Sequence, residues 1–105
     1  MNRGEIWWAD LGPGRKTRPV VLLTRQDAIA ARGLVTIAAV TSRRRHVPAE
    51  VPVGPDEGLP RESVVNLDLI DTIPRAALHQ RVGPLSAEKL RQIDRAIHFA
   101  LGLRD

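Results

Sequence analysis

Arg18-Pro19-Val20-Val21-Leu22-Leu23-Thr24 and Val35-Thr36-Ile37-Ala38-Ala39-Val40-Thr41-Ser42 are the two stretches that decide the fold. Both are apolar at successive positions instead of alternate ones, as in strands covered on both faces inside a barrel or sandwich. Polar chemistry is confined to their ends. Arg18 opens the first run, while Thr41 and Ser42 close the second and lead into Arg43-Arg44-Arg45-His46. A guanidinium at one strand's start and hydroxyls at another's end, beside a cationic loop, are groups suited to holding and cutting a phosphodiester.

Working outward from these runs, Ile6 to Leu11 is apolar and aromatic with β propensity, and Gly12-Pro13-Gly14 stops it before the cationic linker Arg15-Lys16-Thr17. Trp7 and Trp8 point to opposite faces of such a strand, so one packs inside and the other is free to stack in a groove or across an interface. Arg25 to Gly33 reads as one helical turn. Glu50-Val51-Pro52-Val53 alternates and contains proline, which predicts an edge strand, and Gly54 to Pro60 is a loop. Ser63 to Leu67 returns to strand character, Asp71 to Pro74 reads as the last strand, and Arg75 to Leu78 as a single turn.

The C-terminal segment predicts an amphipathic helix. Ser86 is a good N-cap with Glu88 in the first turn, and Gly102 is the stop signal. Leu90, Ile93, Ile97 and Leu101, with Ala96 and Ala100, fall on one face, whereas Phe99 lies roughly half a turn from Leu90 at about 100° per residue, among polar neighbours. The fold expected is mainly β with α: a single domain over residues 1–105, built as a small, strongly bent barrel-like sheet with a C-terminal amphipathic helix.

A chain of 105 residues with 43% hydrophobic content buries a modest core, so association would help it. It has no cysteine, which excludes disulfides and thiolate metal sites and fits a reducing cytoplasm. No metal-binding motif or cofactor signature is visible. The apolar runs fall short of the roughly 18 to 20 residues of a bilayer span, and the N-terminus lacks the apolar core of a signal peptide, so a cytoplasmic protein is expected. The net charge of +4 is unevenly spread: residues 1–50 hold nine Lys or Arg against four Asp or Glu, while residues 51–105 hold seven against eight. Fourteen of the sixteen cations are arginine, whose planar fork grips phosphate and stacks on bases. A GC-rich genome explains an arginine-heavy composition as well, but explains the run Arg43 to Arg45 less well.

Four segments in order, Arg3-Gly4-Glu5-Ile6-Trp7-Trp8-Ala9-Asp10-Leu11, Arg18-Pro19-Val20, Val40-Thr41-Ser42 and Ser63-Val64-Val65-Asn66-Leu67-Asp68, resemble the MazF/PemK family of toxin endoribonucleases. The resemblance covers nearly the whole chain. It implies an SH3-like barrel of the MazF/CcdB type, a symmetric homodimer with RNA in a groove near the dimer interface, and Arg18 and Thr41 at the positions of the family's catalytic arginine and threonine. It also implies a role for the Asn66 and Asp68 segment in reading bases. The connection Gly12 to Thr17 is shorter and more basic than the long mobile loop that family members often carry there, so a relative's target sequence does not transfer.

Cleavage without a metal lets the ribose 2′-oxygen attack the adjacent phosphorus, giving 2′,3′-cyclic phosphate and 5′-hydroxyl ends. Arg18 suits stabilisation of phosphorane charge and Thr41 suits orientation. Ser42 repeats that hydroxyl chemistry next door, and His46 brings an imidazole, a side-chain type suited to proton transfer. Arg15, Lys16, Arg43, Arg44, Arg45, Asn66 and Asp68 are the candidate RNA-binding residues. The bland readings are an Arg18 ion pair with Asp10 or Glu5, Thr41 as a strand-end turn residue, and a solvated arginine loop. The function expected is a type II toxin that cleaves single-stranded RNA sequence-specifically, inhibits translation and is neutralised by a cognate antitoxin with an acidic, partly disordered tail. The alternatives are a DNA gyrase inhibitor on the same barrel, which depends on an apolar C-terminal tail where this chain ends Leu103-Arg104-Asp105, and a non-catalytic RNA-binding module.

Overall fold

The computed structural model describes residues 1–103, so Arg104 and Asp105, which entered the argument against a gyrase inhibitor, lie outside the described residues. The strands are β1 (Glu5–Ala9), β2 (Arg18–Leu22), β3 (Leu34–Thr41), β4 (Glu50–Val53), β5 (Ser63–Pro74) and β6 (Leu78–Pro84). The helices are α1 (Gln26–Arg32) and α2 (Ala87–Ala100), and 3₁₀ turns occupy Pro55–Glu57 and Arg75–Ala77. The strands form one antiparallel sheet in the order β4-β5-β3-β2-β1-β6, with β4 at an edge as its proline predicts.

The continuous apolar runs are explained by two cores on opposite faces. Ile6, Val21, Ala38, Val40, Val65 and Leu67 pack against Ile93 and Ala96 of α2. Val20, Leu22, Val35 and Ile37 face the other way, onto Ile29 of α1, Ile73 and Leu78. The buried side chains of β2 and β3 thus alternate between cores, while Leu34 and Thr36 at the start of β3 remain exposed in whole or part. Gly4 lets α2 dock at the sheet's start: its φ is +88°, and a Cβ there would sit 2.7 Å from Leu90 Cδ1.

Helix α2 follows its expected signals. Ser86 Oγ accepts the Lys89 N–H at 3.1 Å, and the C-terminus closes on Gly102 at φ 67°. There the Leu103 N–H reaches the His98 carbonyl (2.9 Å) and the Gly102 N–H that of Phe99 (3.2 Å), as in a Schellman motif. Ile93 and Ala96 are buried and Leu90, Ile97 and Ala100 partly so, but Leu101, at the C-cap, is 58% exposed and does not join the packed face.

Three expectations are corrected. Ser63–Leu67 and Asp71–Pro74 are one twelve-residue strand, β5, because its irregularity is absorbed in the ladder: Ala39 pairs with Asn66, but Ala38 pairs with Ile70, which loops out Leu67, Asp68 and Leu69. The last strand is β6, whose polar His79-Gln80-Arg81 hides its pairing with β1. The segment after β2 is a seven-residue helix instead of a single turn, ended by Gly33 at φ 65°.

Glu5 ties this frame together. It is 4% exposed, its Oε1 accepts the Asn2 N–H and the Trp7 indole N–H (both 3.0 Å), and its Oε2 accepts Arg81 Nε at 3.0 Å from β6. Burial pushes this carboxyl up, but the bonds from Trp7, Asn2 and Arg81 outweigh burial and hold its pKa down at about 2, against an ordinary 4.5. A folded-state pKa below the unfolded one means that the stabilisation is full above about 4.5 and fades as pH falls towards 2. The stability difference between wild type and Glu5→Gln, from denaturant melts, should therefore shrink across that window. A difference independent of pH there would refute the assignment.

Candidate active site

The pairing of β2 with β3 sets Val20 opposite Ala39 and Val21 opposite Ala38, and two more steps along that register bring Arg18 opposite Thr41. These two residues are shared by two cavities. One, of about 250 Å³, is lined also by Trp8, Lys16, Thr17, Ser42, Arg61 and Ser63. The other, of about 310 Å³, is lined also by Arg43, Arg45, Asn66 and Leu69. The two linings contain five cations, and neither contains a carboxylate or a histidine.

Arg18 makes no ion pair among the described residues. Both carboxylates suggested as its partners are engaged elsewhere: Glu5 with Arg81, and Asp10 with the Gly12 N–H at 3.0 Å. Its fork is therefore presented to the groove. Thr41 Oγ1 accepts the Arg43 N–H at 3.1 Å, which turns the chain into the arginine run and leaves the hydroxyl proton free to donate. Glu50, at the start of β4, shapes the rest of that loop: its carboxylate accepts the Arg45 N–H (3.0 Å to Oε1, 3.1 Å to Oε2) and the His46 N–H (3.0 Å).

That shaping divides the loop's side chains. Arg43 and Arg45 line the groove, whereas Arg44 and His46 do not. His46 sits at φ 58°, a left-handed conformation uncommon outside glycine, with its side chain exposed. Of the linker candidates, Lys16 lines the groove and Arg15 does not. Ser42 lines it beside Thr41. Asn66 is buried and lines the second cavity, its Oδ1 accepting the Asp68 N–H at 2.9 Å, while Asp68 lines neither cavity.

Arg61, Leu69 and the position of Ser63 were not singled out from sequence. Thr41 pairs with Val64 across the β3–β5 ladder, so Ser63 and Arg61 arrive beside it only through that long-range pairing. Leu69, 48% exposed, reaches the groove because the β5 bulge extrudes it. The tryptophans divide as their strand alternation predicts: Trp7 packs on the α1-side core and Trp8 lines the groove. Among the described residues no three His, Cys, Asp or Glu side chains assemble into a metal-binding group, and no helix is long and apolar enough to cross a membrane.

Residues 2–101 match the family of "PemK-like, MazF-like toxin of type II toxin-antitoxin system". The chain is similar to Probable endoribonuclease MazF2 of Mycobacterium tuberculosis, at 35% identity across 97% of this chain and 99% of that protein. It is similar also to Probable endoribonuclease MazF5 of the same species, at 37% identity across 94% and 91%. Among solved structures, Mycobacterium tuberculosis toxin MazF-mt6 superposes with a TM-score of 0.89 at 36% identity, covering 96% of this chain and 99% of that one. A mycobacterial endoribonuclease in complex with its cognate antitoxin superposes at 0.88 with 28% identity, covering 100% and 98%. The chain therefore belongs to the PemK-like, MazF-like toxins of type II toxin–antitoxin systems. The SH3-like barrel with its C-terminal helix is the fold of these relatives, and neither the gyrase inhibitor nor the non-catalytic module is favoured by them.

Proposed function

We propose that this chain, a toxin of that family and an endoribonuclease, binds single-stranded RNA along the groove shared by Arg18 and Thr41 and cuts it there, inhibiting translation. The observation that carries this reading is the groove's lining: five cations and several hydroxyls, with no carboxylate to repel a phosphate. In the reaction the ribose 2′-oxygen bonds to phosphorus and the bond to the 5′-oxygen breaks. The 2′ proton leaves the attacking oxygen and a proton joins the 5′-oxygen, so the products are a 2′,3′-cyclic phosphate and a 5′-hydroxyl.

The Arg18 guanidinium donates to the equatorial oxygens as charge builds on them. Thr41 donates its hydroxyl proton to the same phosphate and fixes its position, with Ser42 beside it. Since neither cavity lining contributes His, Asp or Glu, proton transfer falls to the hydroxyls and to water in the groove. The site's main contribution is then charge stabilisation rather than conventional acid–base catalysis.

The solved relative that carries its cognate antitoxin supports the same kind of partner for this chain. An acidic, partly disordered antitoxin tail would occupy the cationic groove in place of RNA. Such a toxin works where mRNA is translated, in the cytoplasm. Self-association is supported by apolar side chains left uncovered at the end of α2, with Phe99 and Leu101 each 58% exposed and Leu103 51%. A second copy would cover them and set two Arg18–Thr41 sites in one symmetric homodimer.

Three measurements test these statements. Arg18→Ala should keep its fold and lose on the order of 10²-fold or more of RNA cleavage, assayed in EDTA; near wild-type cutting by folded variant would remove Arg18 from the site. Replacing Arg43, Arg44 and Arg45 by Gln should weaken RNA binding and flatten its salt dependence while preserving the cleavage sequence, because phosphate contacts position a strand without reading it. An unchanged salt slope would make the run a solvated loop. Light scattering of active protein at micromolar concentration should give a dimer mass, and thermal unfolding a midpoint that rises with concentration. A monomer mass with a fixed midpoint defeats the homodimer.

A further inference from the structure

The two cavities that share Arg18 and Thr41 differ in what they can tell about a base. In the cavity of Trp8, Lys16 and Arg61 the available contacts are an indole face, three cations with the shared Arg18 among them, and hydroxyls that donate or accept at need. Stacking and charge of this kind hold any nucleotide. The cavity of Asn66 and Leu69 carries cations too, Arg43 and Arg45 beside the shared Arg18, but adds to them a side chain of fixed polarity.

A backbone N–H can only donate, so the bond from the Asp68 N–H to the Asn66 side chain fixes which way that amide is turned. Its Oδ1 is engaged inside the β5 bulge, and its NH₂ group has no partner among the described residues. That group is not a buried orphan, because no fully buried side-chain nitrogen or oxygen among the described residues lacks a partner. Asn66 thus offers the cavity a donor on a side chain held nearly rigid by burial, beside the exposed apolar surface of Leu69. The bulge that extrudes Leu69 is held by the same amide and by the Leu67 N–H on the Ala49 carbonyl at 2.8 Å.

We infer that the Asn66 cavity selects the base of one nucleotide beside the cut. It favours a carbonyl oxygen where uracil carries O4 and guanine O6, over the amino group that cytosine and adenine carry there, while the Trp8 cavity holds its nucleotide without choosing. This inference rests on the nuclease reading above. A base offering an amino group would set donor against donor and leave the Asn66 NH₂ unpaired in a closed contact, a loss on the order of tenfold in cleavage.

The test is a random-sequence RNA library cut by wild type, Asn66→Asp and Asn66→Ala, with the new 5′-hydroxyl ends sequenced. Asn66→Asp keeps an oxygen for the Asp68 N–H and exchanges only the outward donor for an acceptor. Wild type should favour U or G at one flanking position, by about tenfold. Asn66→Asp should invert that preference to C or A at the same position and leave other positions unchanged. Asn66→Ala should flatten it, and serves alone if the added charge of the aspartate stops cleavage. A wild-type preference for C or A at every selective position overturns the inference, as does an Asn66→Ala enzyme that retains the full wild-type preference. A wild-type protein that cuts no RNA overturns the nuclease reading itself, an outcome distinct from cleavage with unaltered selection.

Discussion

The antiparallel register between β2 and β3 is the constraint on which the rest of this molecule depends. Both strands are covered on both faces over most of their length, so a polar side chain within them needs a partner, as Thr36 has in the Thr72 hydroxyl at 2.9 Å, or carries a desolvation cost. Unpartnered polar side chains are thereby pushed to their ends, and antiparallel pairing brings the start of one strand to the end of the other. Arg18 and Thr41 meet for that reason. A slip of one residue would exchange the two cores and separate this pair in a single step, so the packing that stabilises the sheet also holds the site in register.

The electrostatics of the groove depend on where the carboxylates of the surrounding elements are engaged. Glu5 is buried under Arg81, Trp7 and the Asn2 N–H, Asp10 caps the Gly12 turn, and Glu50 binds the backbone of the arginine loop. Each is satisfied by a local donor and none lines the groove, whereas five cations do. The formal charge of +4 therefore understates the local field. Glu50 and Thr41 fix the backbone of a loop whose guanidiniums repel one another, and in that loop Arg43 and Arg45, but not Arg44, line the cavity.

Sequence patterning was most informative where local chemistry determines structure. The apolar runs of β2 and β3, the proline-bearing edge strand β4 and the capped helix α2 carry their causes within a few residues. Strand β6 was illegible because His79, Gln80 and Arg81 give no apolar alternation, and its place is set by pairing with β1 and by the Glu5–Arg81 ion pair, 76 positions apart in sequence. The same distinction runs through the site. Arg18, Thr41 and the arginine run were readable as strand ends and a loop, whereas Arg61 and Leu69 become neighbours of Thr41 only through the β3–β5 ladder and its bulge. His46 and Arg44 satisfied the residue chemistry the sequence suggested, but neither lines the two cavities, and the His46 N–H is tied to Glu50.

The bulge in β5 links the packing of the sheet to the lining of the groove. A regular ladder from Ala39 to Ala38 would have carried β5 past the groove with Leu67, Asp68 and Leu69 in pleated alternation. Looping them out leaves the Asp68 N–H without a strand partner, and the Asn66 carbonyl oxygen accepts it. Satisfying that donor orients the amide of Asn66, so the pairing of a part-buried backbone N–H determines which group faces the cavity. An acidic inhibitor in the same groove would need only the cations, whereas RNA would meet the cations and this fixed donor together. Under the proposed nuclease reading, electrostatic competition between two polyanions and discrimination among RNA sequences would be carried by different residues of one site, and either could change without the other.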